Sequence, residues 1–229
     1  PNSSRRIGEV NRNAHILQGN AEGKDSPMMR WQAAQNLGTL RAIEHMALLE
    51  ELGLSATADE SANVRRECIL ALGHMPIKTP LSETRRALAS RLKARLLETL
   101  ESFGRPRLAE DDGQVRLALV STLVTLGMPR RDRAKDAPRY GFQDVASMLY
   151  DIALYFIGED APGDQRINYA IVERGLGGIE SLAGLPQAEW LKARRDLELD
   201  AYVRWWNEGI SQMPALVDYE KATLNEAQG

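Results

Sequence analysis

Met29-Arg30-Trp31-Gln32-Ala33-Ala34-Gln35-Asn36-Leu37-Gly38 is the stretch that decides the fold, because a close relative of it returns as Val64-Arg65-Arg66-Glu67-Cys68-Ile69-Leu70-Ala71-Leu72-Gly73. Both phrases open on an apolar residue followed by Arg, and both close on Leu-Gly, with the Gly eight positions after the Arg. Acidic residues stand just upstream, Asp25 in one case and Asp59-Glu60 in the other. A looser third copy starts at Glu110-Asp111-Asp112-Gly113-Gln114-Val115-Arg116 and runs on to Leu126-Gly127. A recurring phrase of this kind is the mark of stacked helical units, each unable to bury its apolar face alone.

The segments on either side read as helices. Ser26-Pro27 opens the first, with Pro where a missing N–H costs nothing, and Met29, Ala33, Leu37 and Leu40 fall on one face. A second helix follows Gly38 with Leu40, Ile43, Ala47, Leu48 and Leu52, and Gly53 closes it. Val64, Cys68, Ala71, Leu72 and Met75 form the stripe of the next. Thr79-Pro80 opens a long helix with Leu88, Leu92, Leu96 and Leu100 in register, broken at Gly104-Arg105-Pro106. The third copy carries Val115, Leu119, Thr122, Leu123 and Leu126 on one side and Leu117, Val120 and Val124 elsewhere, the pattern of a helix buried on most sides. Further on, Phe142, Val145, Ala146, Leu149, Ala153 and Phe156 define a helix, and another spans Ile167 to Leu182 with an interruption at Gly175-Leu176-Gly177-Gly178. Pro186 opens a last long helix, with Leu199, Val203, Trp206 and Ile210 on a shared face.

The alternation of helix, acidic turn and Val-Arg-x-x-Ala-x-x-x-Leu-Gly resembles the HEAT-repeat family over roughly residues 25–127. The resemblance implies an all-α fold: a short right-handed α-solenoid of HEAT-like helical hairpins, with a less regular helical C-terminal part. It divides the chain into a polar extended N-terminal arm (1–24), the repeats (25–128), a basic loop (129–141) and C-terminal helical pairs (142–229) that continue or cap the stack. It gives Arg30, Gly38, Arg65, Gly73, Arg116 and Gly127 structural roles. The glycines end helices in the left-handed conformation. Each arginine pairs with an acid in the turn before it: Arg30 near Asp25, Arg65 near Asp59, Arg116 near Glu110 or Asp111.

Composition narrows the function classes. Apolar residues at 43% and charged residues at 27% are ordinary for a globular protein that buries a sizeable core. The net charge of −3 hides an asymmetry, +5 over residues 1–140 and −8 over 141–229. General nucleic-acid binding, which draws its affinity from phosphate neutralisation, does not fit that balance. The longest uncharged run, Leu117 to Pro129, is too short for a transmembrane segment. No secretory signal is visible, one cysteine fixes no redox compartment, and the opening Pro1 implies that something upstream was removed; localisation therefore stays open.

Residues that could carry chemistry are better explained by packing. His15, His45 and His74 lack any i, i+3 or i, i+4 relation, so no metal site is expected, and nothing calls for a cofactor. Cys68 sits on a core stripe. The run Gly175-Leu176-Gly177-Gly178 follows a helix instead of a strand and lacks the spacing of a phosphate loop. The acidic cluster Glu110-Asp111-Asp112 suits a helix N-terminus, where carboxylates offset the dipole. Partner contacts are expected from Arg130, Arg131, Arg133 and Arg139 of the basic loop and from Tyr202 and Trp205 of the last helix.

The expected function is a non-catalytic protein–protein interaction module, a scaffold or peripheral subunit of a larger assembly. Its partners are other protein subunits, and the N-terminal arm orders against one of them. Not an enzyme is the first expectation. The alternative is an enzyme on the same architecture, similar either to HEAT-like alkylpurine DNA glycosylases or to HEAT-like bilin lyases.

Overall fold

The structure, a computed structural model, describes residues 2–19, 26–55, 58–76, 81–99, 106–128, 143–157, 161–183 and 199–208. These residues are mostly helical, and the fold is all-α. In chain order the helices are α1 (Asn2–Leu17), α2 (Pro27–Thr39), α3 (Met46–Leu54), α4 (Ala62–His74), α5 (Leu81–Leu96), α6 (Gly113–Gly127), α7 (Gln143–Ile157), α8 (Gln165–Ala183) and α9 (Leu199–Glu208). A 3-10 turn at Ile43–His45 precedes α3. Two short antiparallel strands, β1 (Leu97–Thr99) and β2 (Pro106–Leu108), pair Leu97 with Leu108 and Thr99 with Pro106. The long leucine helix of the sequence reading therefore ends at Leu96, four residues short of Leu100, and the chain turns back as a hairpin.

Helices pack in two ways. Each even-numbered helix from α2 to α8 lies against the odd-numbered helix before it, and α2, α4, α6 and α8 also pack on one another in succession. The core runs continuously through both sets of contacts. Val64, Cys68, Leu72 and Met75 of α4, Leu88, Leu92 and Leu96 of α5, and Val115, Leu119 and Leu123 of α6 are all buried in it. As its pattern predicts, α6 is buried on most sides, with Val120 and Val124 covered as well as the main stripe.

Segment 2–17 is a 16-residue helix, where the sequence reading expects an extended arm. Its polar composition hides a stripe, Val10, Ala14 and Leu17, at helical spacing, and these residues are buried with Ile16. Asn36 Nδ2 donates to Asn13 Oδ1 at 3.0 Å and Arg6 Nη2 to the Leu40 carbonyl at 3.0 Å, tying α1 to α2. Segment 2–17 thus packs on α2 as α3 packs on α4. The other end also differs from expectation: α8 runs without interruption through Gly175–Gly178.

The repeat glycines do a different job from the one expected. Gly38, Gly73 and Gly127 all lie inside their helices, and none of them has positive φ. The left-handed residue after α2 is Arg41, with φ 51°. There Arg41 N–H donates to the Gly38 carbonyl and Ala42 N–H to the Leu37 carbonyl, the paired bonds of a Schellman cap. Gly53 likewise lies within α3 and does not close it.

What Gly38 allows is close approach: a Cβ there would stand 2.9 Å from Ala71 Cβ and 3.0 Å from Ala71 Cα. At Gly127 it would meet Val145 at 2.8 Å and Leu182 at 3.0 Å. Gly38→Ala is therefore expected to destabilise by about 1–2 kcal/mol, overcoming the gain in helix propensity. Gly8→Ala, at an exposed position of α1 with nothing within 4 Å, should stabilise by up to about 1 kcal/mol. Urea unfolding of the two variants reads the opposite signs. Equal signs would show that α2 and α4 are not held this close.

Candidate functional site

The repeated arginines form a ladder that reaches forward. Arg30 Nε lies 2.7 Å from Asp59 Oδ2, and its Nη2 lies 3.2 Å from Asp59 Oδ1, a two-pronged pair with the acid of the following turn. Arg65 repeats this one unit on, with Nη2 2.8 Å from Glu110 Oε1 and Nε 3.2 Å from Glu110 Oε2. Arg65, expected near Asp59, thus takes its carboxylate from one repeat further on, while Asp25, expected near Arg30, lies outside the described residues. The turns before Arg65 and Arg116 contribute their carbonyls. Arg65 Nη1 donates to the carbonyls of Asp59 and Glu60, and Arg116 Nε and Nη2 donate to those of Glu110 and Asp111. Each guanidinium so placed can bridge the turn before its own helix to the turn before the next.

A fourth rung stands where the sequence shows none. Asn168, buried at the start of α8, donates from Nδ2 to the carbonyls of Ala161 and Pro162 at 3.2 and 3.3 Å. It occupies the arginine's place, and Pro162 stands six residues before it, as Asp59 does before Arg65 and Glu110 before Arg116. Among the described residues Arg116, only 6% exposed, has no forward carboxylate, and its Nη1 has no hydrogen-bond partner.

Glu110 is the centre of the ladder. It is 1% exposed, and besides Arg65 it accepts from Arg95 Nη2 at 2.7 Å and from the Asp112 backbone N–H at 3.0 Å. Burial alone would raise its pKa. The hydrogen bonds from Arg65 and the Asp112 N–H, with the charges of Arg65 and Arg95, overcome that and hold it below the usual carboxylate range. Of the acidic cluster, Glu110 is the internal anchor, while Asp112 caps α6 by accepting from Gln114 and Val115 N–H. Cys68 is buried beside Gly53 of α3; burial first, then the charges of Asp59 and Glu67, push its thiol pKa up, so the nucleophilic thiolate is disfavoured.

The residues that follow the ladder positions look outward. Trp31, Arg66, Leu117 and Tyr169 each come immediately after Arg30, Arg65, Arg116 and Asn168, and each is at least partly exposed. Because α2, α4, α6 and α8 pack in sequence and in register (Gly38 against Ala71, Gly73 against Thr122), these positions make a row across four helices. At its first step, Pro27, Met28, Trp31, Asn63 and Arg66 line a cleft of about 410 Å³. Trp31 Nε1 donates to Glu67 Oε2 at 3.1 Å, which fixes the ring and occupies that carboxylate. Met28 is 69% exposed on the cleft's edge. A larger groove of about 780 Å³ between α3, α5 and β2 carries mixed charge, much of it satisfied internally by Glu50–Arg91 at 2.8 Å and Arg95–Glu110.

The contact residues expected from sequence fall elsewhere. Arg130, Arg131, Arg133 and Arg139, and the side chains of Tyr202 and Trp205, lie outside the described residues. Trp206 of α9 is buried and stacked on Tyr150 at 4.5 Å with a 19° interplanar angle, a packing contact as its stripe position predicts. Trp31 and Arg66 were legible only as members of the repeat, one residue past its arginine. Among the described residues, no helix is long and apolar enough to cross a membrane. No protein-family model, curated protein or solved structure matches this chain.

Proposed function

We infer that this chain is a non-catalytic protein–protein interaction module, built as a short right-handed α-solenoid of HEAT-like hairpins and serving as a scaffold or peripheral subunit of a larger assembly. The observation that carries the reading is the ladder. Arg30, Arg65 and Glu110, the groups with the strongest chemistry near the middle of the chain, are engaged in joining one hairpin to the next. The stacked even-numbered helices then present a continuous row of partly exposed side chains, which is the kind of surface such stacks offer to partners.

The test is mild affinity purification of the tagged full chain from its native source, with components and stoichiometry read by mass spectrometry. A partner set in fixed ratio is the expected result. A lone monomer at low salt, with nothing stoichiometric, would overturn the reading.

A further inference from the structure

We propose that the row Trp31–Arg66–Leu117–Tyr169 docks an extended, acidic segment of a partner protein, anchored by an apolar side chain in the cleft between α2 and α4. The proposal rests on the interaction-module reading and names the face and the chemistry of what it binds. Three observations carry it.

The first is charge left over. Arg65 is consumed by the ladder, but its neighbour Arg66 is only half-buried and makes no ion pair or hydrogen bond among the described residues. At the far end of the row the guanidinium of Arg166, one turn before Tyr169, is exposed and equally without an ion pair among the described residues. Besides Asp164, which accepts the Arg166 backbone N–H at 2.7 Å, two acids lie near this face. Glu67 is turned to Trp31 Nε1, and Glu173 stands a turn beyond Tyr169. Neither satisfies Arg66 or Arg166, so the strongest unmet demand along the row is for carboxylates.

The second is apolar surface beside that charge. Met28 is 69% exposed, Tyr169 is 49% exposed, and Trp31 and Leu117 are half-buried. Trp31 is held rigid by Glu67 and walls a cleft large enough for one aliphatic or aromatic side chain. A rigid aromatic beside an unpaired arginine is the composition of interface anchors.

The third is spacing. Neighbouring packed helices stand about 8–10 Å apart, and a chain extended as polyproline II rises about 3.1 Å per residue with three residues per turn, so every third side chain faces the same way. One step along the row therefore equals about three residues of ligand. The expected order is an apolar residue over Trp31, an acidic residue about three positions away over Arg66, and further apolar residues over Leu117 and Tyr169.

Peptides displayed on phage, twelve residues long with randomised sequence, are selected on the immobilised full chain, and enriched peptides are then titrated in solution by fluorescence anisotropy. The expected consensus has Asp or Glu about three residues from a large apolar residue. Arg66→Glu should weaken binding at least 10-fold, Met28→Glu should weaken it about 5-fold, and Arg204→Glu, at an exposed position of α9, should leave it unchanged. Peptides with Lys in place of the acid should bind Arg66→Glu better than the parent chain. Both test positions are at the surface, and a thermal melt of each variant verifies folding. Selection of nothing overturns the proposal. So does a consensus without the acid, or binding indifferent to both Arg66→Glu and Met28→Glu. The broader reading survives any of these if the native purification still yields a fixed-ratio partner, and falls only if that experiment gives a lone monomer.

Discussion

Glu110→Gln is expected to lower the thermal midpoint of the full chain by about 10 °C, corresponding to a loss of about 3 kcal/mol at this chain length. The substitution keeps the shape and one acceptor oxygen but removes the charge that two guanidinium groups share. Arg65 and Arg95 are mostly buried, so each would be left in a weakly solvated position without its counter-charge. The loss should also depend on pH in a defined direction. The folded-state pKa of Glu110 is depressed, so its ionised form stabilises the fold fully above the unfolded value of about 4.3 and ceases to do so as pH falls through the lower folded value. The gap between parent and variant should be full at neutral pH and close on acidification below about pH 4. Glu60→Gln is the control, since that carboxylate is exposed and 3.8 Å from Arg30; its midpoint should match the parent's. A Glu110→Gln melt that matches the parent at neutral pH would show that the ladder contributes register without stability.

How much of this was legible in the sequence depends on what kind of contact each residue makes. The stripe Val64–Cys68–Leu72 was readable because its partners are apolar everywhere, and periodicity alone fixes the buried face. Segment 2–17 was not. Its Asn, Ser and Gly residues weigh against a helix, and docking of Val10, Ala14 and Leu17 on α2 repays forming one. The arginines were readable as a repeat, but each has acids available on both sides in sequence. Whether Arg65 pairs with Asp59 or Glu110 is decided by how far one helix is shifted against the next, a tertiary quantity. The fourth rung was hidden because Asn168 keeps the donor function while losing the charge, and Pro162 removes the acid. The candidate site was half visible. Trp31 and Arg66 sit next to a recognised phrase, yet their exposure follows from which helices flank them.

The glycine run in α8 gives the sharpest contrast between sequence and structure, and its test has the second large effect. Gly178→Val is expected to cost about 3 kcal/mol, or to unfold the chain at physiological temperature. A Cβ at residue 178 would overlap Val124 Cγ2 and stand 3.2 Å from Leu149 Cδ1, so α8 could keep its place only by moving away from α6 and α7 together. The core there is closed. Val120 and Leu123 of α6, Leu149 and Ile152 of α7, and Ile179 and Leu182 of α8 are all buried, and no exposed side chain can swing out to make room. At Gly175 the nearest atoms to a Cβ are Ala153 Cβ and the Leu149 carbonyl oxygen, both at 3.6 Å, which is ordinary contact. Gly175→Ala should therefore be nearly neutral, with helix propensity offsetting the loss of space. Val124→Ala combined with Gly178→Ala should recover part of what Gly178→Ala loses alone, because the smaller side chain vacates the volume that the new methyl needs. Urea unfolding of the four variants separates two explanations of the run. If its glycines serve helix packing, the cost concentrates at residue 178 and is relieved from residue 124. If they kept a backbone free for a phosphate, substitutions at 175 and 178 would cost alike, and Val124 would not matter.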